Sequence, residues 1–386
     1  MADLGSLPLR LGIIGGGQLG RMTAIAAHQL GIATSVLHPS DRCPAAPVSQ
    51  VYIGQWTHRD DLWAWAQQVD VVTLEHEFTP ADDLLWLAER GAIVHPGGNV
   101  LSVVQDKWRQ RQHLKQAGLP VPKFLTIDTR ADLDVAAEKL GLPLAIKTRR
   151  QGYDGHGTAI ASTIADLDSI WTKFTANQPD TRGLLMAEAF VPFKAELAVM
   201  VARRPNGERV SYPVTVTVQE NYVCDRTLTP APIPLETATR AREIAEAAVE
   251  AIDAIGIVGV ELFLSADGRV SINELAPRPH NSGHYTIDAC ATNQFEQHIR
   301  AALDLPLGNP EAIAPAAVTV NLLGTRATNA LKIPLEKALS LTDVHLHWYG
   351  KAESQPGRKL GHITAIASTL DEALSRATQA RASLNL

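Results

Sequence analysis

Cysteines, aromatic residues and long apolar runs are all scarce in this chain of 386 residues. The three cysteines, Cys43, Cys224 and Cys290, are too few and too far apart for a disulfide framework or a cysteine metal site. Aromatic residues make up 5% of the sequence, and no apolar run approaches the length of a membrane span. These absences argue against a disulfide-stabilised secreted domain and against a membrane protein.

Basic charge is limited as well. Lysine and arginine number 35 against 41 acidic residues, which gives a net charge of -6, and no basic block occurs. This balance argues against nucleic acid or an anionic membrane as the main partner. The first residues lack a charged segment followed by an apolar core, so we expect no signal peptide and a cytoplasmic protein.

What the chain does contain is an ordinary globular composition with a glycine-rich turn near its start. Residues 9–14 predict a buried strand, and a helix is predicted after Gly20, with Gly15, Gly17 and Gly20 spaced as in dinucleotide-binding folds. NAD binding also requires an acid at the end of the second strand, which here ends in His38. The pattern predicts a Rossmann-like domain whose glycines either bind another phosphate or serve only helix–strand packing.

Two acids follow the next buried strand of this domain. Residues 69–74 predict a parallel strand, and Glu75 and Glu77 come directly after it. Ligands bind beyond the carboxyl ends of such strands. We therefore expect both glutamates in a ligand site, where they would bind sugar hydroxyls.

The middle of the chain carries cations on regular elements. Asn99 or Ser102 is expected to cap a helix that runs through Lys107, and Lys147 ends a predicted strand. Residues 148–158, with three glycines and two arginines, predict a mobile basic loop that folds over polyphosphate. The alternatives are a charged surface helix and a plain hairpin turn. The order of a Walker loop is absent.

Two further predicted strands follow that loop. Residues 184–191 are expected to offer backbone groups to a purine, with Glu196 on the ribose, although nothing in the residues alone requires this. Residues 210–218 alternate polar and apolar side chains, which predicts one half-buried strand.

A predicted hairpin carries the most informative acids. Glu261 and Glu274 lie on two apolar runs joined by a turn at Asp267 and Gly268, and Asn273 precedes the second acid. Two carboxylates and an amide oxygen suit Mg²⁺ together with substrate phosphates. A hairpin with two solvated glutamates is the alternative.

Polar residues cluster again after that hairpin and near the C-terminus. The loop after the hairpin carries Arg278 and His280, which favours metal and phosphate chemistry over a solvated surface. Lys351, Arg358 and Lys359 surround a Pro-Gly turn. A solvated basic loop is the ordinary meaning of such a cluster, and a monophosphate site is the more specific one.

The order of these segments resembles the ATP-grasp superfamily, and within it the family of N5-carboxyaminoimidazole ribonucleotide synthetases. The resemblance depends on residues 15–22, 152–157, 273–284 and 345–362, which span nearly the whole chain in the order of the family. It implies an α/β and α+β ATP-grasp fold and an ATP- and bicarbonate-dependent carboxylation of 5-aminoimidazole ribonucleotide in purine biosynthesis. It also implies Mg²⁺ as a cofactor, and we expect a homodimer.

The resemblance implies a role for each matching residue. The residues implied to contact ATP are Lys107, Lys147, Gly152, Tyr153, Asp154, Gly155, His156, Gly157, Thr158, Glu188, Ala189, Phe190, Val191, Glu196, Gln219, Asn273 and Glu274. Those implied to bind the ribonucleotide are Gln18, Leu19, Glu75, Glu77, His280, Asn281, Ser282, Lys351 and Arg358. Those implied to act in catalysis are Arg278, Tyr153, Asp154 and His280, and those implied to hold Mg²⁺ are Glu261, Asn273 and Glu274.

Three positions depart from the family pattern. The family often has a basic residue at His156, a histidine at Gln219 and an arginine at Lys107. Each residue keeps hydrogen-bonding capacity, but lysine lacks the bidentate fork of arginine. We expect a Rossmann-like domain over residues 1–103, a linker helix and lid over 104–187, a nucleotide- and metal-binding domain over 188–306 and a C-terminal domain over 307–386.

Three other functions compete with this prediction. A different ATP-grasp ligase, such as a formate-dependent glycinamide ribonucleotide formyltransferase or a biotin carboxylase, would share the ATP half and differ after residue 278. An NAD-dependent oxidoreductase would use the first glycine loop. A non-catalytic nucleotide-binding module would lack the metal carboxylates.

Overall fold

The computed structural model describes residues 7–150, 152, 157–176, 178, 180–220, 223–329, 333–351 and 353–384. The predicted site residues Tyr153, Asp154, Gly155 and His156 lie outside the described residues. Within the described ranges, no helix has both the length and the apolar character needed to cross a membrane.

The first sheet is parallel, with the strand order β3-β2-β1-β4-β5. Its strands are β1 (Arg10–Ile14), β2 (Ala33–His38), β3 (Gln50–Ile53), β4 (Val71–Leu74) and β5 (Ile93–Val94). Its helices are α1 (Gln18–Gln29), α2 (Arg59–Ala66), α3 (Ala81–Glu89) and α4 (Gly98–Val104). Strands β1 and β4 are buried almost throughout, as a parallel sheet covered by helices requires. The Rossmann-like prediction for this part is confirmed.

The second sheet is antiparallel and small, with the order β6-β9-β7-β8. Its strands are β6 (Phe124–Ile127), β7 (Leu144–Thr148), β8 (Thr158–Ala161) and β9 (Leu185–Ala189). The helices of this part are α5 (Lys107–Gln116), α6 (Arg130–Leu140) and α7 (Asp166–Thr175). Leucine and isoleucine side chains of α6, α7 and the strands form a core that this part does not share with the rest.

The third sheet has nine strands, ordered β15-β14-β10-β12-β13-β16-β18-β17 with β11 paired to β10. Its strands are β10 (Phe193–Arg203), β11 (Arg209–Ser211), β12 (Thr215–Glu220), β13 (Val223–Thr229), β14 (Gly256–Ser265), β15 (Val270–Ala276), β16 (Ala316–Leu323), β17 (Val344–Trp348) and β18 (Lys359–Ala367). Its helices are α8 (Leu235–Ala251), α9 (Thr286–Ala289), α10 (Gln294–Ala302), α11 (Leu335–Leu339) and α12 (Leu370–Ala382). Short 3₁₀ helices span Ala46–Val48 and Asn281–Gly283.

The sheet continues through the point where we predicted the last domain boundary. Strand β13 pairs with β16, so residues on both sides of position 306 share one hydrogen-bonded sheet. Helix α12 covers one face of the C-terminal strands through Val318, Val320 and Ala377. The four domain bounds stay predictions.

Two expectations about local structure are wrong. Residues 210–218 form two strands, β11 and β12, because the chain breaks around Pro213, which cannot donate to a strand ladder. Asn99 and Ser102 do not cap the helix of Lys107. They lie inside α4, and the carboxylate of Asp106 caps α5 by accepting from the amides of Trp108 and Arg109 at 3.0 and 3.2 Å.

A buried histidine connects the first sheet to the third. His298 of α10 bonds Thr73 Oγ1 of β4 at 2.7 Å through Nε2, and its Nδ1 accepts from the Ile257 amide at 3.0 Å. Both ring nitrogens are therefore used, which makes His298 a structural residue. The largest apolar cluster also joins these two parts.

Candidate active site

Three charged side chains meet in the interior between α5 and the second sheet, which we call the lid sheet (β6, β9, β7 and β8). Glu188 on β9 accepts from Arg111 Nε at 2.5 Å and from Lys147 Nζ at 2.6 Å. Burial by itself would raise the pKa of the Glu188 carboxyl, but the two cations outweigh it and lower that pKa to about 2. Burial is the main cause that lowers the pKa of Lys147, and Glu188 opposes it. Glu188 therefore orients Lys147 at the end of β7.

The start of α5 is held by a second charged group. Asp106 accepts from Arg149 at 3.0 Å and 2.6 Å as a bidentate pair. Burial acts to raise the pKa of Asp106, but the bond from Arg149 and the backbone amides lower it on balance. The amide of Lys107 also donates to the Arg149 carbonyl at 2.8 Å, so α5 and the lid strand hold each other.

The predicted metal carboxylates lie directly opposite one another. Glu261 pairs with Glu274 in the β14–β15 ladder, while Leu262 pairs with Ile272, so Asn273 is the extra residue of a β-bulge. In a regular strand Asn273 and Glu274 would point to opposite faces. The bulge allows both to approach Glu261, and Asn273 Nδ2 donates to Glu261 Oε2 at 3.2 Å.

Charge at this cluster is unevenly balanced. Glu274 Oε2 lies 2.5 Å from Lys107 Nζ, and this cation with others outweighs burial, so the pKa of Glu274 is lowered. Burial, followed by the charges of Glu274 and Glu196, raises the pKa of Glu261 to about 7. No group of three or more acidic, histidine or cysteine side chains with metal-ligand geometry occurs among the described residues. Two carboxylates and an amide still match the oxygen donors that Mg²⁺ accepts when phosphates complete the shell.

Glu196, the expected ribose acid, lies near enough to Glu261 for their charges to interact, and the expected purine segment precedes it in the chain. The amides of Ala189 and Phe190 donate to the carbonyls of Lys123 and Pro143 at 2.9 and 3.3 Å, which ties the connection between β9 and β10 to the lid sheet. Val191 follows in the same connection. Burial raises the pKa of Glu196. A hydrogen bond that Gln219 donates to the Glu196 side chain acts in the opposite direction but does not outweigh burial. The structure thus brings Gln219 against the predicted ribose acid.

The predicted lid loop joins β7 to β8. The structure describes its two ends, residues 148–150 and 157–158, and residue 152. Gly157 has a φ of 89°, its carbonyl accepts from the Thr148 amide at 2.7 Å, and an added Cβ there would lie 2.3 Å from Thr148 Oγ1. Thr158 pairs with Lys147 across the hairpin. Gly152 is described only as a single residue between undescribed neighbours.

The glycine turn of the first sheet holds a carboxylate of the protein itself. Glu75 accepts from the amides of Gly17 and Gly20, the latter at 2.7 Å. Gly15 has a φ of 101°, and an added Cβ would lie 2.5 Å from the Glu75 side chain. Gln18 and Leu19 begin α1 beside this contact. An internal anion therefore takes the position that a dinucleotide phosphate has in NAD-binding folds.

Arg278 links the first sheet to the end of β15. Its Nε lies 2.8 Å from Glu77 Oε1, and Nη1 donates to the Pro279 carbonyl at 3.1 Å. Burial acts to lower the pKa of Arg278, but the charges of Glu77, Glu274 and Glu75 raise it on balance. Arg278 therefore stays cationic between the predicted metal carboxylates and the acids that follow β4 of the first sheet.

His280 is a neutral hydrogen-bonding group in this loop. Ser282 contacts its Nδ1 through the hydroxyl at 2.8 Å and donates its amide at 3.4 Å, which leaves Nε2 3.6 Å from Glu261 Oε1. Burial, followed by the charges of Arg278 and Lys359, lowers the pKa of His280 to about 3. Asn281 begins the 3₁₀ turn, where its side chain bonds the Cys224 thiol.

The C-terminal basic loop reaches the first sheet. The Nζ atom of Lys351 lies 5.8 Å from the centre of the Tyr349 ring. The charges of Arg358 and Lys359 lower the pKa of Lys351, and the charge of Glu75 raises it. The guanidinium of Arg358 is 3.8 Å from Glu353. The structure therefore brings Lys351 and Arg358 together with Glu75, whose position in sequence is about 280 residues earlier.

Several site residues were missed from the sequence. Arg111 pairs with Glu188, the carboxylate that contacts Lys147. Asp106 caps α5 and pairs with Arg149, and Gln294 bonds the His280 backbone. Arg111 follows Lys107 by four residues on one helix, which places both on the same face, and that spacing was the available signal. Gln294 carries no comparable signal, because a polar residue on a helix ordinarily faces solvent.

Family models match nearly the whole chain in sequence order. Residues 9–105 match the ribonucleotide synthetase preATP-grasp domain, residues 112–295 match the ATP-grasp domain, and residues 317–376 match the phosphoribosylaminoimidazole carboxylase C-terminal domain. The sheets and the site together define an ATP-grasp enzyme. The superfamily prediction is thus confirmed.

Curated relatives and solved structures narrow this class. An N5-carboxyaminoimidazole ribonucleotide synthase of Synechococcus elongatus is 42% identical over 92% of this chain and 88% of that protein. The structure of the Thermotoga maritima synthetase has a TM-score of 0.86 at 37% identity, covering 98% of this chain and 99% of that one. An Aspergillus clavatus synthase, solved with ADP and 5-aminoimidazole ribonucleotide, has a TM-score of 0.86 at 34% identity, covering 96% and 97%. The chain belongs to the N5-carboxyaminoimidazole ribonucleotide synthase family.

Proposed function

We propose that this protein uses ATP and bicarbonate to carboxylate 5-aminoimidazole ribonucleotide to N5-carboxyaminoimidazole ribonucleotide, with ADP and phosphate as the other products. The observation that carries the proposal is the meeting of two groups of residues at the end of β15. Glu261, Glu274 and Lys107 form an acid–cation cluster on one side. Arg278 and His280 begin the loop that leads to the other side.

The chemistry proceeds in two transfers. A bicarbonate oxygen attacks the γ-phosphorus of ATP, ADP leaves, and carboxyphosphate forms. The exocyclic amine of the ribonucleotide then attacks the carboxyl carbon, the amine gives up a proton, and phosphate leaves. Positioning and charge stabilisation supply most of the catalysis in such reactions.

The residues of the chain divide these tasks. Lys107 and Lys147 neutralise the phosphates of ATP, and Glu188 keeps Lys147 in place. Arg278, the guanidinium that stays charged, orients bicarbonate and carboxyphosphate. His280 is neutral above about pH 3, so it acts on the ribonucleotide as a hydrogen-bonding group and contributes no charge. The undescribed residues Tyr153 and Asp154 complete the predicted catalytic set.

Glu261, Asn273 and Glu274 would hold Mg²⁺. Crowded carboxylates beside an amide oxygen fit the ion, which would neutralise charge on the triphosphate. Nucleotide contacts are proposed for the connection after β9 and for Glu196 with Gln219. Ribonucleotide contacts are proposed for acids that bind the sugar, cations that bind the phosphate, and polar and backbone groups beside them. The residues are Gln18, Leu19, Glu75, Glu77, His280, Asn281, Ser282, Lys351 and Arg358.

The test measures ADP release with ribonucleotide and bicarbonate each omitted in turn. The proposal expects release only with both present. ADP release that does not depend on the ribonucleotide would show that the ribonucleotide is not the substrate. A product formed with formate would favour a formyltransferase instead. A NAD-dependent oxidoreductase finds no support, because Glu75 binds the amides of the glycine turn.

The metal assignment has its own variant. Glu274→Gln removes one carboxylate charge and the partner of Lys107, so we expect ATP turnover to fall by at least about a hundredfold with the fold retained. Glu89→Gln, at the exposed end of α3, is the matched control and should retain activity. Equal activity of both variants would reject the metal site.

Assembly is part of the same proposal. We propose a cytoplasmic homodimer, and a net charge of -6 permits two copies to associate. Sedimentation equilibrium distinguishes a mass of twice 41.6 kDa from that of the monomer.

A further inference from the structure

Two buried glutamines of α10 make the same contact with different loops. Gln294 accepts from the His280 amide at 2.9 Å and donates to the His280 carbonyl at 2.9 Å. Gln297 accepts from the Gly308 amide at 2.7 Å and donates to the Gly308 carbonyl at 2.8 Å. Both glutamines have 0% exposure. Each side-chain amide thus fixes the backbone of one loop residue, but only Gln294 fixes a residue of the proposed site.

The space around His280 makes its backbone position decisive for its ring. An added Cβ on Gly259 of β14 would lie 2.7 Å from the His280 Cβ, and one on Gly283 would lie 2.6 Å from the Gln294 oxygen. The loop therefore packs directly on the strand and on the glutamine. With the backbone fixed, Ser282 sets the ring so that Nε2 faces Glu261.

Gln294 also contacts His284, which packs against the C-terminal strands. Its amide nitrogen lies 3.0 Å from His284 Nδ1, and the His284 ring stacks on His362 with ring centres 4.6 Å apart. His362 Nδ1 bonds the Tyr349 hydroxyl at 2.9 Å, two residues before Lys351. These contacts connect the His280 loop to the segment after β17 that carries Lys351, the proposed phosphate cation.

We propose that Gln294 is a positioning residue for the ribonucleotide: it sets the His280 loop relative to the end of β17, and with it the width of the substrate pocket. This inference rests on the function proposed above. A side chain that cannot make the paired hydrogen bonds lets the loop shift while the nucleotide cluster on β14 and β15 keeps its own contacts. A shift of about 1 Å in a binding group is enough to cost up to roughly a hundredfold in rate.

The test compares Gln294→Met with Gln297→Met. Methionine keeps the side-chain length and removes the side-chain hydrogen bonds of either glutamine. Both variants should lose melting temperature, and Gln294→Met should lose more because its contact with His284 is removed as well. We expect Gln294→Met to raise KM for the ribonucleotide at least about tenfold, with KM for ATP within about twofold of the unaltered value. Gln297→Met should leave both KM values within about twofold.

The outcomes separate the two proposals. If Gln294→Met and Gln297→Met change KM for the ribonucleotide equally, the positioning role is wrong, although the proposed function stands. If the unaltered protein shows no ribonucleotide-dependent ADP release, the proposed function falls and this inference falls with it. Should either methionine variant fail to fold, Gln294→Asn and Gln297→Asn repeat the comparison, since a shorter amide stretches the same bonds.

Discussion

Lys351 is a lysine whose charge depends on its neighbours. Burial is the main cause that lowers its pKa, the charges of Arg358 and Lys359 lower it further, and Glu75 opposes them, which leaves it at about 8. The ammonium is therefore charged below about pH 8 and neutral above it. An arginine at the same position would keep its charge throughout that range.

The pH dependence of kcat/KM for the ribonucleotide tests the role proposed for Lys351. We expect kcat/KM for the ribonucleotide to fall as pH rises through about 8, because Lys351 loses the proton that attracts the substrate phosphate. Lys351→Arg should remove that fall, while the profile for ATP stays the same in both proteins. If kcat/KM for the ribonucleotide depends on pH in the same way in the unaltered protein and in Lys351→Arg, Lys351 does not bind the substrate phosphate.

At the scale of single elements, the start of α5 places two cations in the site. Asp106 caps the helix and pairs with Arg149, while Lys107 and Arg111 reach Glu274 and Glu188 one turn apart. The helix start therefore positions one cation against Glu274, a proposed metal ligand, and another against the buried Glu188. One aspartate supports this arrangement through four hydrogen bonds.

Removing the charge of Asp106 should weaken the element. Asp106→Asn keeps an acceptor for the cap but leaves Arg149 without its carboxylate, so we expect the free energy of unfolding to drop by about 2 kcal/mol and KM for ATP to rise. Urea unfolding and steady-state kinetics measure the two effects. Asp132→Asn in the capping box of α6, which has no arginine partner, should cost less than about 1 kcal/mol and leave KM unchanged. If Asp132→Asn lowers the free energy of unfolding as much as Asp106→Asn does, the lost helix cap explains both effects and the Arg149 pair does not contribute.

At the scale of the whole molecule, all three sheets contribute to one site. Glu75 and Glu77 come from the first sheet, Lys147 from the second, and Glu261 and Glu274 from the third. Residues on separately packed parts are brought together by charge pairs and by the His298 contact. A ligand bound among these residues should therefore stabilise the entire chain, because it binds only the assembled state.

Thermal unfolding with nucleotide measures that coupling. At a hundredfold excess over its dissociation constant, a ligand adds about 2.7 kcal/mol of stability, so ADP with Mg²⁺ should raise the melting temperature by several degrees. NAD should cause no shift, since Glu75 holds the glycine turn. Glu274→Gln should lose the part of the shift that depends on Mg²⁺. A shift with NAD equal to that with ADP would contradict the nucleotide site.

Much of the site was predictable because its signals are local. Lys147 at the end of a strand, the turn at Asp267 and Gly268, and the acids after β4 each follow from patterns within about ten residues. The predicted purine contacts of residues 188–191 and the predicted ribose contact of Glu196 depend on the family resemblance. For Glu188 the residues alone could not show that its carboxylate would be buried between Arg111 and Lys147, because those partners lie 77 and 41 positions away.

The sequence by itself determined which segments form strands, where the chemistry-bearing residues stand and which family the motifs match, since these depend on short-range periodicity and residue type. Only the tertiary structure decided how those residues meet. The bulge at Asn273 brings Asn273 and Glu274 to Glu261, and the amides of the glycine turn bind Glu75. Such contacts depend on register and packing between distant segments, which are set by burial of the shared cores and not by any local pattern.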